Sequence, residues 1–87
     1  MVEHITTAGN TLVPMVLALR ALGFSLTRTE DGEWDHWTAR RDDLVLTAGV
    51  EEFPALLALA LMRQVRGPDW KASDHEIDAV LEEFGGI

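Results

Sequence analysis

The chain has no cysteine among its 87 residues. That excludes disulfides, thiolate metal sites and thiol catalysis, and it is compatible with a reducing compartment. Basic residues are scarce, with seven Lys and Arg against fifteen Asp and Glu and a formal charge of -8. Such a balance opposes contact with phosphate backbones and anionic membrane surfaces, and it suits a basic protein partner. Long apolar runs are missing too, since the longest, Phe53 to Met62, falls well short of the ~20 residues that span a bilayer. The opening MVEHITTAGN has no Lys or Arg ahead of an apolar stretch and does not read as a secretory signal. The expectation is a soluble, cytoplasmic protein that binds neither nucleic acid nor membrane.

Recognisable chemistry is equally sparse. The glycines at 9, 23, 32, 49 and 67 are isolated, so no phosphate-cradling loop can be assembled, and each reads as a turn or a cap. His4, His36 and His75 make no i, i+4 pair on a helix, and no metal or cofactor is expected. The one catalytic constellation worth testing is Asp35, His36 and a hydroxyl from Thr27 or Thr38. It fails because consecutive strand residues point to opposite faces, so Asp35 could not orient the His36 ring. An enzyme is therefore not the favoured class.

What is present is a hydrophobic content of 47% with 25% charged residues, the balance of one ordinary globular domain spanning residues 1–87. Residues 1–9 read as a loose tail. Asn10 or Thr11 can cap a helix from Leu12 to Leu22, stopped by Gly23. Leu12, Val13, Met15, Val16, Leu17, Leu19 and Leu22 cover most of its circumference, with Arg20 as its only charge.

From Phe24 to Ala48 the pattern is a three-stranded antiparallel meander. Asp31-Gly32 predicts a two-residue hairpin turn, which makes opposed residues sum to 63. Phe24, Leu26, Trp37 and Ala39 then share one face, with Arg28 opposite Asp35 at its margin. Taking Asp42-Asp43 as the second turn makes opposed residues sum to 85 and adds Leu44, Leu46 and Ala48 to the same face. The other face carries Ser25, Thr27, Thr29, Thr38, Arg40, Val45 and Thr47, with Trp34 and His36 as conspicuous additions.

Pro54 predicts the first position of a second helix, apolar without interruption from Ala55 to Met62 and ended by Gly67-Pro68. Ser73-Asp74-His75-Glu76 is a capping-box pattern opening a third helix. Ile77, Val80, Leu81 and Phe84 follow at i, i+3, i+4 and i+7, the spacing of one helical stripe. Asp74, Asp78, Glu82 and Glu83 line its outer face. The predicted fold is an α+β two-layer domain, order α-β-β-β-α-α, with three helices packed on the apolar face of the meander.

The favoured function is a small, acidic, non-enzymatic protein-binding module whose partner is a basic protein or a second copy of the chain. The motivation is a surplus of apolar helix surface beyond what one small sheet can cover. Candidate partner-binding residues are Trp34, His36, Arg40, Thr27 and Thr38, and the candidate acidic surface is Asp74, Asp78, Glu82 and Glu83. Two alternatives are an immunity or antitoxin-type protein neutralising a basic toxin, and a ligand-binding protein with a pocket lined by Trp37 or Trp70 between sheet and helices.

Overall fold

The computed structural model describes residues 2–6, 10–30 and 32–86. Along the chain lie α1 (Leu12–Ala21), β1 (Ser25–Thr29), β2 (His36–Arg41), β3 (Leu44–Gly49), a 3-10 turn (Val50–Glu52), α2 (Pro54–Arg66) and α3 (Asp74–Glu83). The protein is an α+β domain with the element order read from the sequence, and its sheet is a meander, β1-β2-β3. Val2–Thr6 form neither helix nor strand and are exposed. Residues 1 and 7–9 of the expected tail lie outside the described residues, as does Asp31.

The second hairpin forms as predicted. Trp37 pairs with Ala48, Ala39 with Leu46 and Arg41 with Leu44, around a turn in which Asp42 takes φ 52. Aspartate tolerates this left-handed conformation because its short polar side chain can bond locally.

The first hairpin differs from the expectation. Ser25 pairs with Arg40, Leu26 with Ala39, Arg28 with Trp37 and Thr29 with His36, a register two residues beyond the one implied by a tight Asp31-Gly32 turn. The connection between β1 and β2 is therefore longer than two residues, and Trp34 and Asp35 are not in the strand. Arg28 faces Trp37 rather than Asp35, with its guanidinium 5.9 Å from the indole centroid, and bonds Glu30 at 2.8 Å. Because side chains alternate with a period of two, a shift of two leaves every strand residue on its predicted face.

The apolar face meets α1 and α2. Leu19, Phe24, Ala39, Leu46, Ala48, Phe53, Leu56 and Ala60 form the buried core, with Leu19 and Leu56 wholly enclosed and worth roughly 1.5–3 kcal/mol each in burial. Trp37 meets Phe53 edge-on with ring centroids 4.9 Å apart. At the end of α1 the Phe24 amide donates to the Leu19 carbonyl at 3.0 Å and the Gly23 amide to the Arg20 carbonyl at 2.9 Å. This Schellman closure needs the left-handed φ of 95 that Gly23 adopts, and it places Phe24 against Leu19 in the core.

The two-layer expectation holds for the sheet with α1 and α2, but the third helix does not pack on the sheet with them. Helices α1 and α2 cover the sheet, whereas every residue from 71 to 86 is exposed. The missing ingredient is area, because a three-stranded sheet offers one face about two helices wide. The radius of gyration is 15.6 Å, against about 12 Å for a compact chain of this length.

Candidate functional site

Four of the five candidate residues on the sheet come together on its open face. Thr27 pairs with Thr38, and His36, Thr38 and Arg40 alternate along β2. Arg40 is exposed, and its carbonyl accepts from the Ser25 hydroxyl at 3.3 Å. The surface is hydroxyl-rich, with Thr27 and Arg40 exposed and His36 and Thr38 half-buried.

Trp34 departs from the expected strand position. It precedes β2 and stacks on His36, with ring centroids 4.2 Å apart and planes inclined by 17°. The His36 Nδ1 donates to the Trp34 carbonyl at 2.9 Å, which locks the pair into one unit. The indole lies beside Gly49, where an added Cβ would sit 3.6 Å from the indole Nε1. Trp34 is 53% exposed and borders a groove of about 370 Å³ with Asp35, Gly49, Val50, Glu51 and Glu52. The Val50 amide closes its floor by donating to the Asp35 carbonyl at 3.2 Å. With His36 Nδ1 donating to a backbone carbonyl, the stacked pair forms an aromatic platform beside the carboxylates of Asp35, Glu51 and Glu52.

The helices present a second set of exposed side chains. Leu17 on α1 is 56% exposed, Val65 on α2 80% and Phe84 beside α3 64%. Val13, Leu61, Met62, Ile77, Val80 and Leu81 are exposed with them. The candidate acids Asp74, Asp78, Glu82 and Glu83 are exposed on the same α3. A fifth acid, Glu76, ties that helix down. Its carboxylate accepts from Arg66 Nη2 at 3.0 and 3.1 Å and from the Ser73 amide at 2.9 Å. The Glu76 amide donates back to the Ser73 hydroxyl at 3.2 Å, which completes the predicted capping box. The Ser73 amide first, and then the Arg66 guanidinium, hold the Glu76 carboxyl below its usual 4.5. Arg66 also donates through Nε to the Trp70 carbonyl at 2.8 Å, so one guanidinium fastens the connection and the start of α3 to the end of α2. Between them lies an apolar groove of about 320 Å³ lined by Arg66, Ala72, Glu76, Ile77, Val80 and Leu81.

No protein-family model, curated protein or solved structure matches the chain. Function is therefore read from these side chains. Among the described residues no group of three or more His, Asp or Glu is placed to hold a metal ion, and no helix is long and apolar enough to cross a membrane. Trp70 lines an open groove of about 310 Å³ beside β3 with Leu44, Leu46, Leu59 and Arg63, while Trp37 packs on Phe53. The open apolar stripe of α3 was missed by sequence reasoning, which seated it on the sheet. The usable signal was the apolar circumference of the first two helices, which already accounted for the sheet's only apolar face.

Proposed function

We propose that this chain is a non-enzymatic protein-binding module that docks through its helical layer. The observation that carries the reading is the exposure of apolar side chains on all three helices at once, with Leu17, Val65 and Phe84 each more than half open to solvent. Single exposed hydrophobes are ordinary on a monomer, whereas Ile77, Val80 and Leu81, exposed together along one apolar groove, are a grouped surface of the kind that favours contact. The absence of cysteine and the charge of -8 suit a protein partner in a reducing compartment such as the cytoplasm, and they disfavour nucleic acid.

The decisive experiment compares capture by the native chain with capture by Val80→Asp. The native chain should retain a stoichiometric protein partner, either a host protein or a second copy, and Val80→Asp should weaken that capture at least about tenfold, as loss of a central apolar anchor does. A native chain that retains no partner and behaves identically to Val80→Asp would sink the reading. The Trp34 platform supports a second reading, in which the indole and the carboxylates of Asp35, Glu51 and Glu52 receive a cationic side chain of a basic partner, as an antitoxin-type protein would. Under that reading Trp34→Ala abolishes capture and Val80→Asp leaves it intact.

A further inference from the structure

We infer that the partner of the helical layer is a second copy of this chain, with each copy laying its α3 across the α1–α2 face of the other. The inference rests on the protein-binding reading above and names its partner.

The first ground is the state of α3. The helix is fully built at both ends, with the Ser73 capping box before it and a Schellman closure after it. In that closure the Gly86 amide donates to the Leu81 carbonyl at 2.7 Å and the Gly85 amide to the Glu82 carbonyl at 3.4 Å. Its ten residues are fewer than an isolated helix needs to persist in water, so it requires a surface under its apolar stripe. Its own chain does not bury that stripe. The Arg66 guanidinium pins Glu76 and the Trp70 carbonyl to the last turn of α2, and Ile77, Val80, Leu81 and Phe84 all remain exposed.

The second ground is area. The chain exposes 6947 Å², whereas a compact monomer of 9.6 kDa exposes roughly 5,100 Å² by the usual scaling of surface with mass. Part of the surplus of about 1,800 Å² belongs to the exposed, irregular Val2–Thr6 segment. Half of it would still match the ~800 Å² per partner of a standard stable interface.

Charge selects which surfaces meet. α3 carries Asp74, Glu76, Asp78, Glu82 and Glu83 and no Lys or Arg, whereas α1 and α2 carry Arg20, Arg63 and Arg66 and no acid at all. Packing α3 on a second α3 would set two acidic helices side by side. Packing α3 on the α1–α2 face of another copy sets acids beside an apolar layer that carries no acid, with Arg20 and Arg63 as its charges beyond the Arg66 already tied to its own Glu76. Arg20 is exposed on the same helix as Val13 and Leu17, while Arg63 lies towards the Asp42–Asp43 turn. Donor helix and acceptor layer belong to the same chain, so a two-fold axis satisfies both contacts at once and closes the assembly.

Sedimentation equilibrium of the native chain, over a series rising from low-micromolar concentration, should give twice the mass of 9.6 kDa. Val80→Asp, on the donor helix, and Leu17→Asp, on the acceptor layer, should each fall to the single-copy mass. An equal mixture of the two should recover the dimer, because one intact α3 then meets one intact layer. Should either variant lose its thermal transition, oxidative trapping replaces it, since the native chain has no cysteine. A Leu17→Cys copy mixed with a Val80→Cys copy should then cross-link to each other in preference to themselves. A native chain at single-copy mass throughout overturns the inference, as does a dimer whose paired variants neither complement nor cross-link. If that single-copy chain still captures a host protein through Val80, the exchange falls while the protein-binding reading stands. If Val80→Asp changes nothing, both fall.

Discussion

Arg41 lies on the apolar face of the sheet, yet its charge is matched. Its Nη1 donates to the Leu22 carbonyl at 2.8 Å, one of the orphan acceptors that every helix C-terminus leaves. Its guanidinium also lies 4.5 Å from the centroid of the Phe24 ring. The charge thus faces the negative end of α1 while the stem fills space beside the core. Arg41→Met, which keeps the stem and removes the donor, should destabilise the domain by about 1–2 kcal/mol, the worth of a charge-assisted bond to a part-buried carbonyl. Urea denaturation followed by tryptophan fluorescence checks this, and an unchanged midpoint would show that the bond contributes nothing net. Arg41 also marks where sequence reasoning runs out. Its pairing with Leu44 puts it on the apolar face, but only the meeting of β2 with the end of α1 supplies its acceptor. Trp34 teaches the same lesson from the other side. The faces of the strands were legible because a shift of two residues preserves them, whereas the length of the first connection was not. Asp-Gly favours a tight turn only when nothing better competes. Here the stacking of Trp34 on His36 and the pairing of Arg28 with Glu30 accompany the longer connection.

Among the elements, α3 was the most legible in its limits and the least legible in its placement. Ser73, Glu76 and the stripe from Ile77 to Phe84 mark its start and its apolar face from sequence alone, because capping and periodicity are local. Whether that stripe finds a surface depends on how much sheet α1 and α2 leave uncovered, which no local pattern encodes. The local chemistry does carry a pH signature. The folded Glu76 carboxyl is more acidic than its usual 4.5, so its ionised form favours the capped helix at every pH above that value. This contribution is lost as the pH falls through the lower folded pKa. Residue-resolved NMR of the Ser73 amide, which bonds Glu76 directly, should therefore show the cap holding at pH 4.5 and opening below it. Glu76→Gln keeps an acceptor for that amide but cannot ionise, and its Ser73 resonance should lose the pH dependence. A native Ser73 signal that does not respond to acid would remove Glu76 as the fastening of α3.

At the scale of the whole molecule the excess of negative charge sets a problem for self-association, and its solution is measurable. Two copies of charge -8 repel each other at long range, but at 0.1 M salt the screening length is about 10 Å, so distant charges are already muted. What salt changes above that concentration is dominated by charges in close contact. An α3–α3 interface would bring carboxylates together and tighten as salt rises. The exchange of α3 onto the arginine-bearing layer predicts the opposite. Raising NaCl from 0.1 to 0.5 M should weaken the dimer roughly fivefold, the loss of about 1 kcal/mol of exposed ion pairing. Most of the affinity should survive because apolar contact is not screened. Arg20→Glu sharpens the test, since it places a carboxylate beside Val13 and Leu17 where α3 arrives. That variant should bind more weakly than the native chain at 0.1 M and should tighten with added salt, reversing the sign of the response. Sedimentation equilibrium across the salt series reads both trends, and a native dimer that strengthens with salt would place the acidic helices against each other and exclude the exchanged arrangement.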